Sequence, residues 1–174
     1  IGKWGADDHI ELVEQSGYKR HTRLDMNYLC ALAQNLATHP EIQKKILYFP
    51  NSSIYKVGDK LRYVEYRYKN TNRTHHIVAV DFSQYLEKIL KLASKGAYIN
   101  ELSESLVDDE ISLEESSEFI TELINSQILV NQLEPAITGP EFLNQIISVL
   151  DPIQGIENLK NLIIKANDAI QKID

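Results

Sequence analysis

Between Ser53 and Ser83 the sequence reads SIYKVGDKLRYVEYRYKNTNRTHHIVAVDFS, three β-branched and aromatic runs divided by Gly58-Asp59 and by the polar cluster Asn70 to Arg73. Turn residues between such runs predict a small three-stranded antiparallel sheet. Beyond Ser83 the pattern changes to helical. Ser83 stands as a cap before QYLEKILKLAS, whose Tyr85, Leu86, Ile89, Leu90 and Ala93 form one stripe that Lys95-Gly96 ends. INELSESL aligns Ile99, Leu102 and Leu106, a short second helix. In SLEESSEFITELINSQ, Ser112 and Glu115 have capping-box spacing, and Phe119, Ile120, Leu123 and Ile124 run along one side.

Strands first and three helices after define an α+β chain. A three-stranded sheet beside three helices with helix-turn-helix spacing is a winged-helix-like pattern in rearranged order. On its N-terminal side, HIELVEQ (9–15) alternates like a strand, YKRHTRLD is a polar link, and Asp25 caps a helix carrying Tyr28, Leu29, Leu32 and Leu36. Pro40 opens a further turn, and Pro50-Asn51 ends the helical region. On the C-terminal side ILVNQLEP is extended until Pro135, and TGPEFLNQIISVLD reads as a capped helix broken by Pro152. Ile156, Leu159, Ile163, Ala166, Ile170 and Ile173 then make a narrow apolar seam. The seam suits packing on its own chain or on neighbouring parts, and it leaves a homodimer open. The organisation expected is 1–49 as a strand-and-helix segment, 50–135 as the winged-helix-like module and 136–174 as a helical extension.

The 174 residues are enough for a real core without a metal or disulfide. Cys30, the single cysteine, lies in the apolar stretch YLCALAQNLA and reads as a buried small hydrophobe in a reducing compartment. No apolar run approaches the roughly 20 residues that span a bilayer, and no signal peptide opens the chain, so a cytoplasmic setting is expected. The opening IGKWGADDHI lacks an initiator methionine, which points to a piece of a longer chain. His75 and His76 are adjacent on a strand and point to opposite faces, no ligand cluster completes a site, and no metal is expected.

Charge is distributed unevenly. Lys56, Lys60, Arg62, Arg67, Lys69 and Arg73 crowd the hairpin, whereas no Lys or Arg occurs from Gly96 to Glu134. Complementary solvated faces would account for this, and so would two walls of a groove that receives a charged peptide. DNA reading by the third helix is disfavoured, because Glu114, Glu115, Glu118 and Glu122 would repel phosphates. A peptide suits the same geometry. A sheet edge offers unpaired N–H and C=O groups, and an adjacent helix supplies a groove wall. Strand 74–82 and helix 113–126 would be the two walls, although Val78, Val80, Phe119 and Leu123 would equally suit an ordinary core.

Four motifs, RLDMNYL, FPNSSIYKVGDKLRYVEYR, HHIVAVDFSQYLEKIL and FITELINSQILVNQLEPAITG, together resemble the N-terminal, glutamylation region of class I lanthipeptide dehydratases, the lantibiotic or thiopeptide-type dehydratase family. The likeness runs from about Ile1 to Leu150. It implies a far longer parent that uses glutamyl-tRNA as co-substrate, esterifies Ser and Thr of a ribosomally made precursor peptide, and eliminates glutamate. No bound cofactor is implied. This stretch alone, without the elimination half, is not expected to catalyse.

The resemblance further implies that the strand-then-helix module binds the leader of the precursor as an added strand. On this sequence that indicates Ile77, Val78, Ala79, Val80 and Phe82 of the strand, with Phe119, Ile120 and Leu123 of the third helix. It also places an Arg and an Asp of YKRHTRLD near the glutamyl-tRNA reaction site, Arg23 on phosphate or substrate carboxylate and Asp25 orienting it, with Lys19, Arg20 and Arg23 as the tRNA-binding cluster. A solvated linker with Asp25 as a helix cap is the plainer alternative.

The competing class is a stand-alone winged-helix interaction protein or regulator that binds nucleic acid through the Lys56 to Arg73 hairpin. Salt separates the two classes. Peptide binding through a strand edge is expected to persist at moderate salt in an anisotropy titration, whereas a phosphate-driven contact weakens steeply over the same range.

Overall fold

The computed structural model describes residues 14–69, 72–136 and 138–173. Most of the strand expected over 9–15 lies outside the described residues, and Gln15 opens a short 3-10 turn, Gln15–Gly17. Helix α1 (Met26–Ala37) begins where Asp25 predicts, the Asp25 carboxylate accepting the Asn27 and Tyr28 N–H groups. Helix α2 (Pro40–Gln43) carries its proline in the first turn, where the missing N–H costs nothing. Strand β1 (Tyr48–Pro50) follows, then β2 (Tyr55–Val57), β3 (Lys60–Lys69) and β4 (Asn72–Asp81).

Next come α3 (Gln84–Leu92), α4 (Ile99–Leu106), α5 (Leu113–Asn125), β5 (Leu129–Asn131), α6 (Phe142–Leu150) and α7 (Glu157–Gln171). Ser83 Oγ accepts the Leu86 N–H, and Ser112 forms its capping box with Glu115. Gly58 (φ 63°) and Gly96 (φ 87°) adopt the left-handed conformation that makes glycine suitable at these turns. Helix α6 differs from expectation in its start: it begins after Glu141, whose side chain makes no capping bond.

The protein is α+β. Strands β2, β3 and β4 form an antiparallel sheet in that order, with Tyr63 opposite Val78 and Leu61 opposite Val80. A second ribbon pairs β1 with β5, Phe49 opposite Val130. The segment ILYFPNSS therefore contains a strand where the sequence showed only a turn.

One apolar core draws on every part of the described chain, from Leu29 and Ile46 through Tyr63, Ile89, Leu102 and Ile120 to Ile146 and Ile163. Its burial is the main favourable term in folding. One expectation is corrected here, and another is met. Cys30 is half-buried rather than enclosed, although burial still pushes its thiol pKa up. The final seam packs on its own chain through Ile156 and Ile163, whereas Ala166 is exposed and Ile173 is about half exposed.

Strand β3 has main-chain partners on both sides as far as Tyr66. Beyond Arg62 strand β2 has ended, and side chains continue its ladder. The Val64 N–H donates to Ser53 Oγ at 2.9 Å, and the Val64 C=O accepts from Asn51 Nδ2 at 3.0 Å. The Tyr66 N–H donates to Gln127 Oε1, and the Tyr66 C=O accepts from Gln127 Nε2, both at 2.9 Å. Gln127 is the one described non-glycine residue with positive φ, 60°. Its primary amide reproduces one peptide unit of a neighbouring strand. Replacing Gln127 with Ala, which leaves the Tyr66 main chain unpaired on that side, is expected to lower stability by about 1–3 kcal/mol, read as a lower urea midpoint with unchanged slope.

Candidate functional site at the β4 edge

Strand β4 has a different status, because among the described residues its outer edge has no neighbouring strand. The Phe82 N–H donates inward to the Asp59 C=O at 2.9 Å, which fixes the parity of the strand. Even-numbered residues turn their main chain toward β3, and His75, Ile77 and Ala79 turn theirs outward. Their side chains lie on the uncovered face, with Ile77 69% exposed. The side chains of Val78 and Val80 point the other way, half-buried against the core. The strand is thus covered on one face, and Ile77 is exposed on the other.

The other expected peptide contacts divide. Phe82 lies past the strand end, beneath the Lys56 ammonium at 3.6 Å, and lines a separate open groove with Phe49, Ile54 and Leu90. Phe119 is half-buried and reaches a small apolar pocket beside Tyr85. Ile120 is fully enclosed and Leu123 is buried, so these two are core residues in this arrangement and give the wall its support. Strand and helix spacing left that division open, because α5 carries apolar residues over a wide arc.

The basic hairpin is largely neutralised from within. Lys60 meets Asp81 at 2.7 Å, Arg67 pairs with Glu65, and Arg73 lies 3.8 Å from Glu134. With Lys56 over Phe82, only Arg62 among these described side chains has no such partner. Three carboxylate pairs thus weaken the positive field that a phosphate backbone would meet.

Arg73 also stacks on the Tyr66 ring at 3.6 Å. The Tyr66 hydroxyl donates to Glu134 Oε1 at 2.9 Å and accepts from Gln34 Nε2 at 3.0 Å. Burial, and then the Glu134 carboxylate, push the Tyr66 pKa up to about 12. This knot fastens α1, the hairpin and the segment after β5 together. Nothing in the local sequence pattern marked Tyr66, Glu134 or Gln127, because their partners are far away along the chain.

The YKRHTRLD segment is placed against the C-terminal elements. Arg20 donates to the Ile173 C=O at 3.2 Å, and His21 lies 3.3 Å from Glu141. Lys19, Arg23 and Asp25 are exposed, Asp25 in its capping role. Among the described residues no three His, Cys, Asp or Glu side chains converge, and no helix is long and apolar enough to cross a membrane.

With this sheet and helix order in place, comparison defines the class. The chain belongs to the lantibiotic dehydratase family as its N-terminal region, the family model "Lantibiotic dehydratase, N terminus" matching residues 1–174. Among particular proteins, it is 23% identical over 172 residues to the epidermin biosynthesis protein EpiB of Staphylococcus epidermidis. That match covers 95% of this chain and 17% of EpiB, so the chain spans a small part of its relative. The crystal structure of the tRNA dependent lantibiotic dehydratase MibB from Microbispora sp. 107891 shares its fold with a TM-score of 0.57 and 18% identity, over 75% of this chain and 12% of MibB.

The Tyr66 knot has a pH signature. A raised folded pKa means that folding favours the neutral phenol, so its contribution is complete below the unfolded value of about 10 and is lost as pH rises through about 12. Tyr66→Phe is expected to lower stability by about 1–2 kcal/mol at neutral pH through its lost hydrogen bonds. Melts repeated in alkaline buffers are expected to show a shallower decline for the variant, with the remaining slope shared by Tyr48, also raised to about 12.

Proposed function

We propose that this chain is the precursor-recognition and part of the glutamylation machinery of a glutamyl-tRNA-dependent peptide dehydratase, and that it captures the leader of a ribosomally made peptide as a strand added to β4. The observation that carries this reading is the contrast between two edges. Side chains close β3 where β2 ends, and β4 presents the outward main chain of His75, Ile77 and Ala79 with no neighbouring strand among the described residues. Native sheets blunt such edges with lysine, proline or a covering loop, and the outward positions Ile77 and Ala79 carry none of these.

In this reading the winged-helix-like module over 50–135 is the recognition element. Ile77 and Ala79 supply main-chain hydrogen bonds, Val78 and Val80 form the floor of the edge, and Phe119 contributes to the adjoining wall. Arg23 and Asp25 serve the glutamylation step in the complete enzyme, with Lys19 and Arg20 beside the tRNA. Glutamyl-tRNA is the co-substrate and the setting is cytoplasmic, as a tRNA-dependent step on a nascent precursor requires. The nucleic-acid regulator is disfavoured by the internal pairing of the hairpin cations.

The test is a proline placed on the open edge. Ala79→Pro removes a donor that β3 does not use, so the sheet should remain folded while its outer edge is blocked. Anisotropy titration with the labelled leader peptide encoded beside the parent gene is expected to show at least about tenfold weaker binding, the loss of one to two main-chain bonds. Unchanged affinity in a folded Ala79→Pro protein would sink the strand-addition reading.

A further inference from the structure

Building on the strand-addition reading, we infer that the captured peptide carries a Lys or Arg next to a large apolar residue, the apolar residue entering a pocket at the end of β4 and the cation meeting Glu110 and Glu115.

The pocket has a volume of about 250 Å³ and lies between the start of α3, the end of α4 and the first turns of α5. Its apolar lining is Tyr85, Leu106, Ile111 and Phe119. Tyr85 stands one residue beyond the helix start that follows β4, so the pocket adjoins the end of the open strand. Side chains of an added strand alternate between the two sheet faces. Those that share the face of Val78 and Val80 project toward the helical layer, the layer to which the residues lining this pocket belong.

The floor gives no free polar group, because the buried Ser116 Oγ is committed to the Ser103 C=O at 2.5 Å. A hydrocarbon or aromatic side chain is the occupant such a lining favours.

The rim is anionic and held in place. Asp108 Oδ1 accepts the N–H groups of both Glu110 and Ile111 at 2.9 Å, which fixes the loop. Glu115 Oε2 accepts the Ser112 N–H at 2.9 Å and the Ser112 hydroxyl at 2.7 Å, so Oε1 remains open to a donor. Those same bonds hold the Glu115 carboxyl below the usual carboxylate range, so it is charged at neutral pH. The wider surface agrees in sign, since Glu114, Glu118 and Glu122 are exposed on α5 and residues 96–134 contain no Lys or Arg. Lys88 of α3, the cation that meets the end of α4, is turned to the Ser105 C=O. An acidic peptide would meet repulsion here, and a basic one would find a partner beside its anchor.

Selection of a random-sequence peptide display library on the 174-residue protein, repeated on Ala79→Pro, separates strand-dependent binders from the rest. Those binders are expected to be enriched in Lys or Arg beside Leu, Ile or Phe. For a synthetic representative, the Glu110→Gln/Glu115→Gln double variant is expected to weaken binding about three- to tenfold, while the same peptide with Gln in place of its cation is indifferent to the double variant. Gln at position 115 preserves the capping box, which keeps α5 intact. Phe119→Ala is expected to weaken both peptides alike. Strand-dependent binders with no cationic bias, or with an acidic one, would overturn this inference and leave strand addition standing. A library with no binder sensitive to Ala79→Pro would overturn both.

Discussion

The main chain of β3 has partners on both of its sides, and the rest of the arrangement follows from that. A strand presents hydrogen-bonding groups alternately left and right, and burying them without partners is costly. Strand β4 satisfies one side throughout. On the other, β2 satisfies only the first part, and Ser53, Asn51 and Gln127 take over. Because Gln127 follows α5 directly, this closure also fastens the end of that helix to the sheet. The Tyr63 hydroxyl adds a second fastening, donating to the Ser126 C=O at 2.8 Å. Helix α5 and strand β4 are therefore fixed through β3 rather than through each other.

That indirect attachment suits an edge meant to receive another chain. An added strand must order its own residues on binding, at roughly 1–2 kcal/mol of backbone entropy each, and main-chain hydrogen bonds return only about 0.5–1.5 kcal/mol apiece. A mobile edge would add its own ordering cost to that of the peptide. With β3 paired on both sides as far as Tyr66 and the core packed beneath Val78 and Val80, the edge is formed in advance. In the strand-addition reading, specificity would fall to the side-chain pocket, since main-chain bonds are indifferent to sequence.

How much of this could be read in the sequence follows the range of each interaction. Caps at Asp25, Ser83 and Ser112 were legible because donor and acceptor lie within a few residues, and the three strands of the sheet were legible through Gly58-Asp59 and period-two patterning. The β1–β5 ribbon was not, because three-residue strands carry almost no periodic signal and their partner is distant along the chain. Gln127 and Glu134 were invisible for a related reason: a polar side chain that stands in for a strand has no composition signature. The helix α5 stripe was seen, yet its inner members Ile120 and Leu123 could not be told from the outer Phe119 until the sheet was in place. Class came from resemblance of whole motifs, not from any catalytic constellation.

The unequal charges of the two walls have unequal consequences once pairing is considered. In sequence the hairpin is basic and the third helix acidic, as though the two would attract and cancel. In the fold Lys60, Arg67 and Arg73 are paired with Asp81, Glu65 and Glu134, whereas Lys56 over the Phe82 ring keeps its charge. The carboxylates of α5 have no basic residue of residues 96–134 to answer them, and the whole chain carries a formal net charge of −7. Fields from exposed charges reach about a Debye length, roughly 8–10 Å at physiological salt, which is enough to span an added strand. In the strand-addition reading proposed above, the acidic helix wall would therefore favour a basic peptide over an acidic one before its main chain pairs.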